Sequence, residues 1–190
     1  MAPSQGIKKA VVVDMDAATE CVREAVRIAS EQSGVEIKTV HIGVAGGHVE
    51  CRKSFGATGI KGREISTRDL DRVIESASSV YVPLDRDVLH VLPSDFIVDG
   101  QDGIVQPLGM SGVKLEVNVR VITAAHSAIE NLIRCCERAG LQVMDTVLEP
   151  IASARAVVTE EEMNEGVLIV DMGGGTTDLA LYKDGMLRHA

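Results

Sequence analysis

Apolar and polar positions alternate in short blocks along this chain, and each block predicts an element. Val11-Val12-Val13 is an apolar run that ends at Asp14. It reads as a strand end leading into a helix, with Asp14 or Asp16 as the N-cap. Ala18, Cys21, Val22, Ala25, Ile28 and Ala29 then keep the three-to-four-residue spacing of one helix face, and Gly34 stops that helix. Val40, Ile42 and Val44 alternate as a strand, which Gly46-Gly47 breaks.

The texture changes near His48. Residues 49–54 predict a strand, followed by a polar, glycine-dotted loop as far as Gly62. Ser66 and Asp69 predict a capping box for a helix carrying Leu70, Val73, Ile74 and Ala77. Residues 88–98 look extended, with Pro93 confining them to a sheet edge or a bulge. Val113, Leu115, Val117, Val119 and Val121 alternate with polar residues as a half-buried strand. Ser127 is placed to cap the next helix, whose Ile129, Leu132, Ile133 and Cys136 share a face and which Gly140 closes. Residues 141–148 predict a strand, Glu149-Pro150 open an alanine-rich helix, and residues 159–166 read as a polar connector.

The last stretch carries the chemistry. Val167-Leu168-Ile169-Val170 reads as a strand buried on both faces, and Asp171 stands at its end. Gly173, Gly174 and Gly175 follow, then Thr176, Thr177 and Asp178, then Leu179, Leu181 and a Lys183-Asp184-Gly185 turn that describe a second strand and a hairpin. Glycines lack the Cβ that would hold a ligand off, so backbone N–H groups can converge on phosphate oxygens. Thr176 and Thr177 add hydroxyl donors, and Asp171 is placed to hold Mg2+ through its waters. A dinucleotide fingerprint beginning at Gly173 would need glycine where Asp178 stands, and a P-loop would need Gly-Lys-Ser/Thr. Neither fits. No catalytic base is found outside the hairpin.

Composition narrows the picture further. With only 2% aromatic residues, the core must be built from Val, Ile, Leu and Ala. A net charge of −9, with the basic residues scattered, excludes a nucleic-acid surface. No apolar run approaches the roughly 18 residues that span a bilayer, and no signal peptide opens the chain. Cys21, Cys51, Cys135 and Cys136 match no zinc spacing and read as reduced thiols of a cytosolic protein. Residues 1–6 read as a cut point rather than a native beginning.

The glycine hairpin flanked by Asp171 and Asp178 resembles the second phosphate-binding hairpin of the actin-like ATPases, the superfamily of actin, the heat-shock chaperones and the sugar kinases. Further blocks make the resemblance narrower: Val88-Leu89-His90-Val91-Leu92-Pro93, Asp99-Gly100-Gln101-Asp102-Gly103-Ile104 and Pro107-Leu108-Gly109-Met110-Ser111-Gly112-Val113. With Arg138-Ala139-Gly140-Leu141 and the hairpin itself, they are similar, in the same order, to the FtsA family of bacterial cell-division proteins. The resemblance covers nearly the whole chain from Val11 onward.

That resemblance implies an α/β fold, a partial actin-like (ribonuclease H-like) ATPase fold with an inserted α+β subdomain. Residues 1–47 and 124–165 would belong to the first actin-like subdomain, residues 48–123 to the insertion, and residues 166–190 to the start of the second. It implies ATP and Mg2+ as cofactors, held by Asp171, Gly173, Gly174, Gly175, Thr176, Thr177 and Asp178, with Asp171 serving the metal. Turnover would be weak or absent, and residues 1–190 alone would bind nucleotide weakly or not at all. The implied function is an adaptor that tethers the FtsZ ring to the inner face of the membrane, self-associates, and recruits later division proteins through residues 48–123. FtsZ and the membrane would be met through parts beyond this chain, the membrane through a C-terminal helix. The alternatives within the superfamily are a small-molecule kinase and a filament protein of pili or rod shape.

Overall fold

The structure, a computed structural model, describes residues 2–190. Strands β1 (Ile7–Lys8) and β2 (Val11–Val12) pair antiparallel around the two-residue turn Lys9-Ala10. Asp14 then caps α1 (Met15–Ser33), its Oδ1 accepting from the N–H groups of Asp16 and Ala17 at 3.1 and 3.0 Å. Gly34 ends α1 with a left-handed φ of 69°.

Strand β3 (Thr39–Val44) pairs in parallel with the later β8 (Gln142–Leu148), and everything between them is the crossover. Most of that crossover is an antiparallel sheet built from β4 (Glu50–Gly59), β5 (Arg86–Val98), β6 (Gln101–Ile104) and β7 (Lys114–Ala125), in the order β4-β7-β5-β6. Helix α2 (Thr67–Ser78) covers one face, and Val73 and Ala77 share a core with Leu115, Val117, Val119 and Val121. The chain returns through α3 (His126–Arg138) to β8. Two helices follow, α4 (Glu149–Val157) and α5 (Glu160–Glu165), and then β9 (Val167–Met172), β10 (Thr177–Lys183) and β11 (Met186–His189) in the antiparallel order β11-β10-β9.

Several local expectations need correcting. The glycine-dotted loop after Ser54 is strand as far as Gly59, paired residue for residue with β7. Gly56 is there for close approach: a Cβ on it would lie 2.4 Å from the Val73 carbonyl oxygen and 2.5 Å from the Ala77 nitrogen. The connector at 159–166 contains α5, because Thr159 and Glu162 make a reciprocal capping box and the acidic first turn suits the positive end of a helix. Ser127 is inside α3; β7 runs straight into that helix, and Ala125 takes the cap position with no side-chain bond. Val113 is exposed ahead of β7, its N–H held by the Asp99 carboxylate at 3.0 Å. Pro93 stands where β5 has only β7 beside it, next to a register shift, so edge and bulge occur together.

The hairpin strand is not buried on both faces. Ile169, Ala180 and Tyr182 pack inward with Ile122, Leu148 and Ala154, whereas Leu168, Val170, Met172, Leu179 and Leu181 are exposed on the other side. The β4–β7 unit is fastened to this hairpin by that shared core and by Arg188 of β11, whose Nη1 lies 2.9 Å from Asp95 Oδ1 of β5.

Candidate phosphate-binding site

Parallel strands place ligands at their carboxyl ends, where the loops diverge. At that end of β3 is the Gly46-Gly47 loop, and at that end of β8 is Glu149, the first residue of α4. The β9–β10 hairpin brings its tip to the same place. Asp171 and Asp178 are directly opposite each other in the β9–β10 register and share the inward face with Ile169 and Ala180. Asp171 Oδ2 accepts from Ser153 Oγ of α4 at 2.7 Å, and Asp178 Oδ1 accepts from the Gly46 N–H at 3.2 Å. Each carboxylate is thus aimed by a different element.

Gly173 closes the hairpin by donating its N–H to the Thr176 carbonyl at 3.0 Å. None of the three glycines is among the residues with positive φ, so the triplet is not needed for a left-handed turn. Its use is access. A Cβ on Gly174 would meet nothing within 4 Å, and on Gly175 it would stand 3.4 Å from the Lys9 nitrogen. Thr176 turns its methyl to Gly46, while Thr177 alternates to the side of Leu179 and Leu181, away from the two aspartates. The site residues expected at 171–178 therefore come together, with the Thr177 side chain facing elsewhere.

Glu149 is the residue that sequence reasoning passed over, reading it only as a charge suited to a helix start. Its side chain crosses β3 at Gly43, where a Cβ would be 2.6 Å from Glu149 Cγ. The residue as a whole is exposed, yet this packing removes some of the water around its carboxyl. That loss, then the negative charges of Asp171 and Asp178, hold its pKa above the usual carboxylate range. A carboxylate of raised pKa beside a glycine loop has the chemistry of a general base. The signal was in the sequence: an acidic residue follows β8 directly, and Asp171 stands near the end of β9.

Behind the Gly46-Gly47 loop is His48, whose two ring nitrogens are buried with no hydrogen-bond partner among the described residues. Burial, then the nearby Arg86 guanidinium, lower its pKa, so the neutral ring is favoured. Arg86 also donates to the His48 carbonyl at 2.8 Å and to Thr123 Oγ1 at 3.0 Å, and pairs with Glu50 at 3.0 Å. It pins the start of the inserted sheet to the loop that touches Asp178.

The residues present fit a magnesium nucleotide. Oxygen donors of Asp171 and Asp178 suit a hard divalent cation, and the glycine tip leaves phosphate oxygens room to approach.

A family model described as "SHS2 domain inserted in FTSA" matches residues 46–123. The chain is 43% identical over 187 residues to the cell-division protein FtsA of Pseudomonas aeruginosa, 41% over 188 residues to that of Neisseria meningitidis, and 36% over 187 residues to that of Escherichia coli K12. These alignments cover 98, 99 and 98% of this chain and 45, 45 and 44% of the relatives, so the chain spans less than half the length of the curated relatives it matches. Among solved structures it is similar to one of a PilM-PilN type IV pilus biogenesis complex, with a TM-score of 0.63 and 16% identity, covering 98% of this chain and 50% of that one. At that identity the likeness speaks of fold alone, and the fold is the α/β, partial actin-like one with its inserted α+β unit. By sequence along almost all of its length, and by the inserted domain in its middle, the chain belongs to the FtsA family of cell-division proteins.

Proposed function

We propose that this chain forms part of an ATP-binding, actin-like adaptor of the division ring. In that role Gly173, Gly174 and Gly175 would admit the phosphates, and Asp171 and Asp178 would hold Mg2+. The metal would supply neutralisation of the phosphate charge. The protein's own residues do the positioning: Ser153 orients Asp171, and Gly46 orients Asp178.

The observation that carries this reading is the convergence of two aimed carboxylates on a glycine tip with room above Gly174. Family membership supports a finer reading, proposed here for the full-length protein. The protein would work in the cytoplasm at the inner face of the membrane, linking FtsZ to that membrane, self-associating, and using residues 48–123 to recruit later division proteins. Among the described residues no helix is long and apolar enough to cross a membrane. The kinase and pilus readings have less support, because the pilus neighbour is similar in fold only.

The test is Gly174→Val in the protein at its full natural length. Its backbone is not left-handed and the new side chain meets no neighbour, so the variant should fold with the wild-type Tm. The branched side chain would occupy the phosphate space. Calorimetric titration should show Mg·ATP affinity down by about tenfold or more, as expected for loss of one or two charge-assisted hydrogen bonds. Equal affinity in the folded variant would remove the phosphate assignment.

A further inference from the structure

Among the described residues there are three two-residue hairpin turns in which both central residues have positive φ. Asp99-Gly100 joins β5 to β6 with φ values of 48° and 87°, and Asp184-Gly185 joins β10 to β11 with 55° and 71°. Asp-Gly is the ordinary solution for such a turn, since aspartate tolerates the left-handed region and glycine adopts it freely. The third turn, between β1 and β2, is Lys9-Ala10, with φ values of 50° and 62°. Lysine and alanine each carry a Cβ into a region that disfavours it, and strain of this kind collects where function demands a particular residue.

This strained turn lies beside the glycine tip. The Lys9 nitrogen and Cα are 3.4 and 3.5 Å from where a Cβ on Gly175 would be, and the Lys9 carbonyl and the Ala10 methyl are 3.1 and 3.2 Å from where a Cβ on Gly46 would be. The turn is itself held firmly, for Gly6 accepts from the N–H groups of Val13 and Asp14 at 2.8 and 3.1 Å and abuts the first turn of α1. Among the described residues the lysines in ion pairs are Lys38 and Lys114, while Lys9 is exposed with no acidic partner. The glycine tip that it adjoins carries Asp171 and Asp178, and Glu149 is close enough to feel both charges. Together these carboxylates would repel a polyphosphate unless cations offset them.

We infer that Lys9 is a further phosphate-binding residue, and that the β1–β2 turn forms the second lip of the nucleotide site opposite Gly173–Gly175. The inference rests on the phosphate reading of that site. The left-handed backbone at Lys9 lays the main chain against Gly175, which brings the base of a flexible four-carbon stem to the edge of the tip. Its ammonium then reaches the phosphate oxygens, where it balances part of the carboxylate charge. Lys8 is one residue back, inside the β1–β2 pair, and does not touch the tip.

The experiment compares Lys9→Asn, Lys9→Arg and Lys8→Asn in the protein at its full natural length, by calorimetric titration with Mg·ATP and by thermal melting. Asparagine suits the left-handed turn better than lysine, so Lys9→Asn should raise Tm while lowering Mg·ATP affinity by about tenfold, the loss expected for one charge-assisted hydrogen bond. Lys9→Arg should keep the affinity. Lys8→Asn removes the same charge from an exposed position and should stay within about twofold of wild type. A purely structural role predicts that Lys9→Asn binds at least as well as wild type, and that result overturns the inference. An equal loss in both asparagine variants would make the effect one of net charge and would also overturn it. Wild-type protein that does not bind Mg·ATP brings down the phosphate reading itself. Wild-type binding with an unchanged Lys9→Asn brings down only Lys9.

Discussion

Glu149 shows how one residue changes the chemistry available to the site. Three carboxylates lie together near the tip, and packing against Gly43 makes Glu149 resist ionisation. A raised folded-state pKa favours the protonated form. The resulting contribution to stability is complete below the ordinary value of 4.5 and is lost as pH rises through the folded-state value. Glu149→Gln should therefore match the wild type in urea melts at acid pH and exceed it at neutral pH. An offset between Glu149→Gln and wild type that stays the same at every pH would show that Glu149 carries no pH dependence.

At the scale of elements, β5 carries the clasp between the inserted sheet and the parallel pair. His90 Nε2 accepts the Leu148 N–H at 3.0 Å, at the very end of β8, one residue before Glu149. The bond needs a neutral ring. Burial lowers the His90 pKa, with Asp145 opposing it. The sign is opposite to that of Glu149. Stability from the neutral ring is present above the ordinary 6.5 and is lost as pH falls through the lower folded-state value. Thermal melts from pH 8 down to pH 5 should show Tm falling below about 6.5. His90→Gln should reduce that fall, because glutamine still accepts the bond and cannot titrate. His48 titrates in the same sense and should leave part of the fall in place. A His90→Gln variant with the full wild-type slope would show that the clasp carries no pH dependence.

The same elements show what could be read in advance. Caps and stops were legible wherever a side chain declares them, as at Asp14, Ser66 with Asp69, and Gly34. The carboxylates and glycines of the β9–β10 tip were legible because strand, acid and glycine stand together in the sequence. Tertiary partners were not. Gly56 looked like loop until α2 lay across it, and Glu149 looked like a helix-start charge until Gly43 opened a path toward the aspartates. The Lys9-Ala10 turn gave no signal at all, since neither residue favours the backbone it adopts.

The whole molecule is built asymmetrically around β9 and β10. One face of that sheet holds Ile169, Ala180 and Tyr182 in the core with Ile122, and it is this face that carries Asp171 and Asp178 to the site. The other face pairs Leu168 with Leu181 and Val170 with Leu179 across the strands, with Met172 beyond, all of them exposed. A contiguous apolar strip of this kind is unusual on a monomer in water, and burying it releases ordered water at little structural cost. Residues 1–190 on their own should therefore self-associate at micromolar concentration, as seen by sedimentation velocity, and bind a hydrophobic dye. Leu168→Lys with Leu179→Lys should return a monomer. These side chains belong to none of the described hydrophobic cores, so the double variant should keep its unfolding free energy within about 0.5 kcal/mol per site. A loss of several kcal/mol would mean that this face takes part in the fold after all. A wild-type monomer that ignores the dye would mean that the strip is too narrow to drive association.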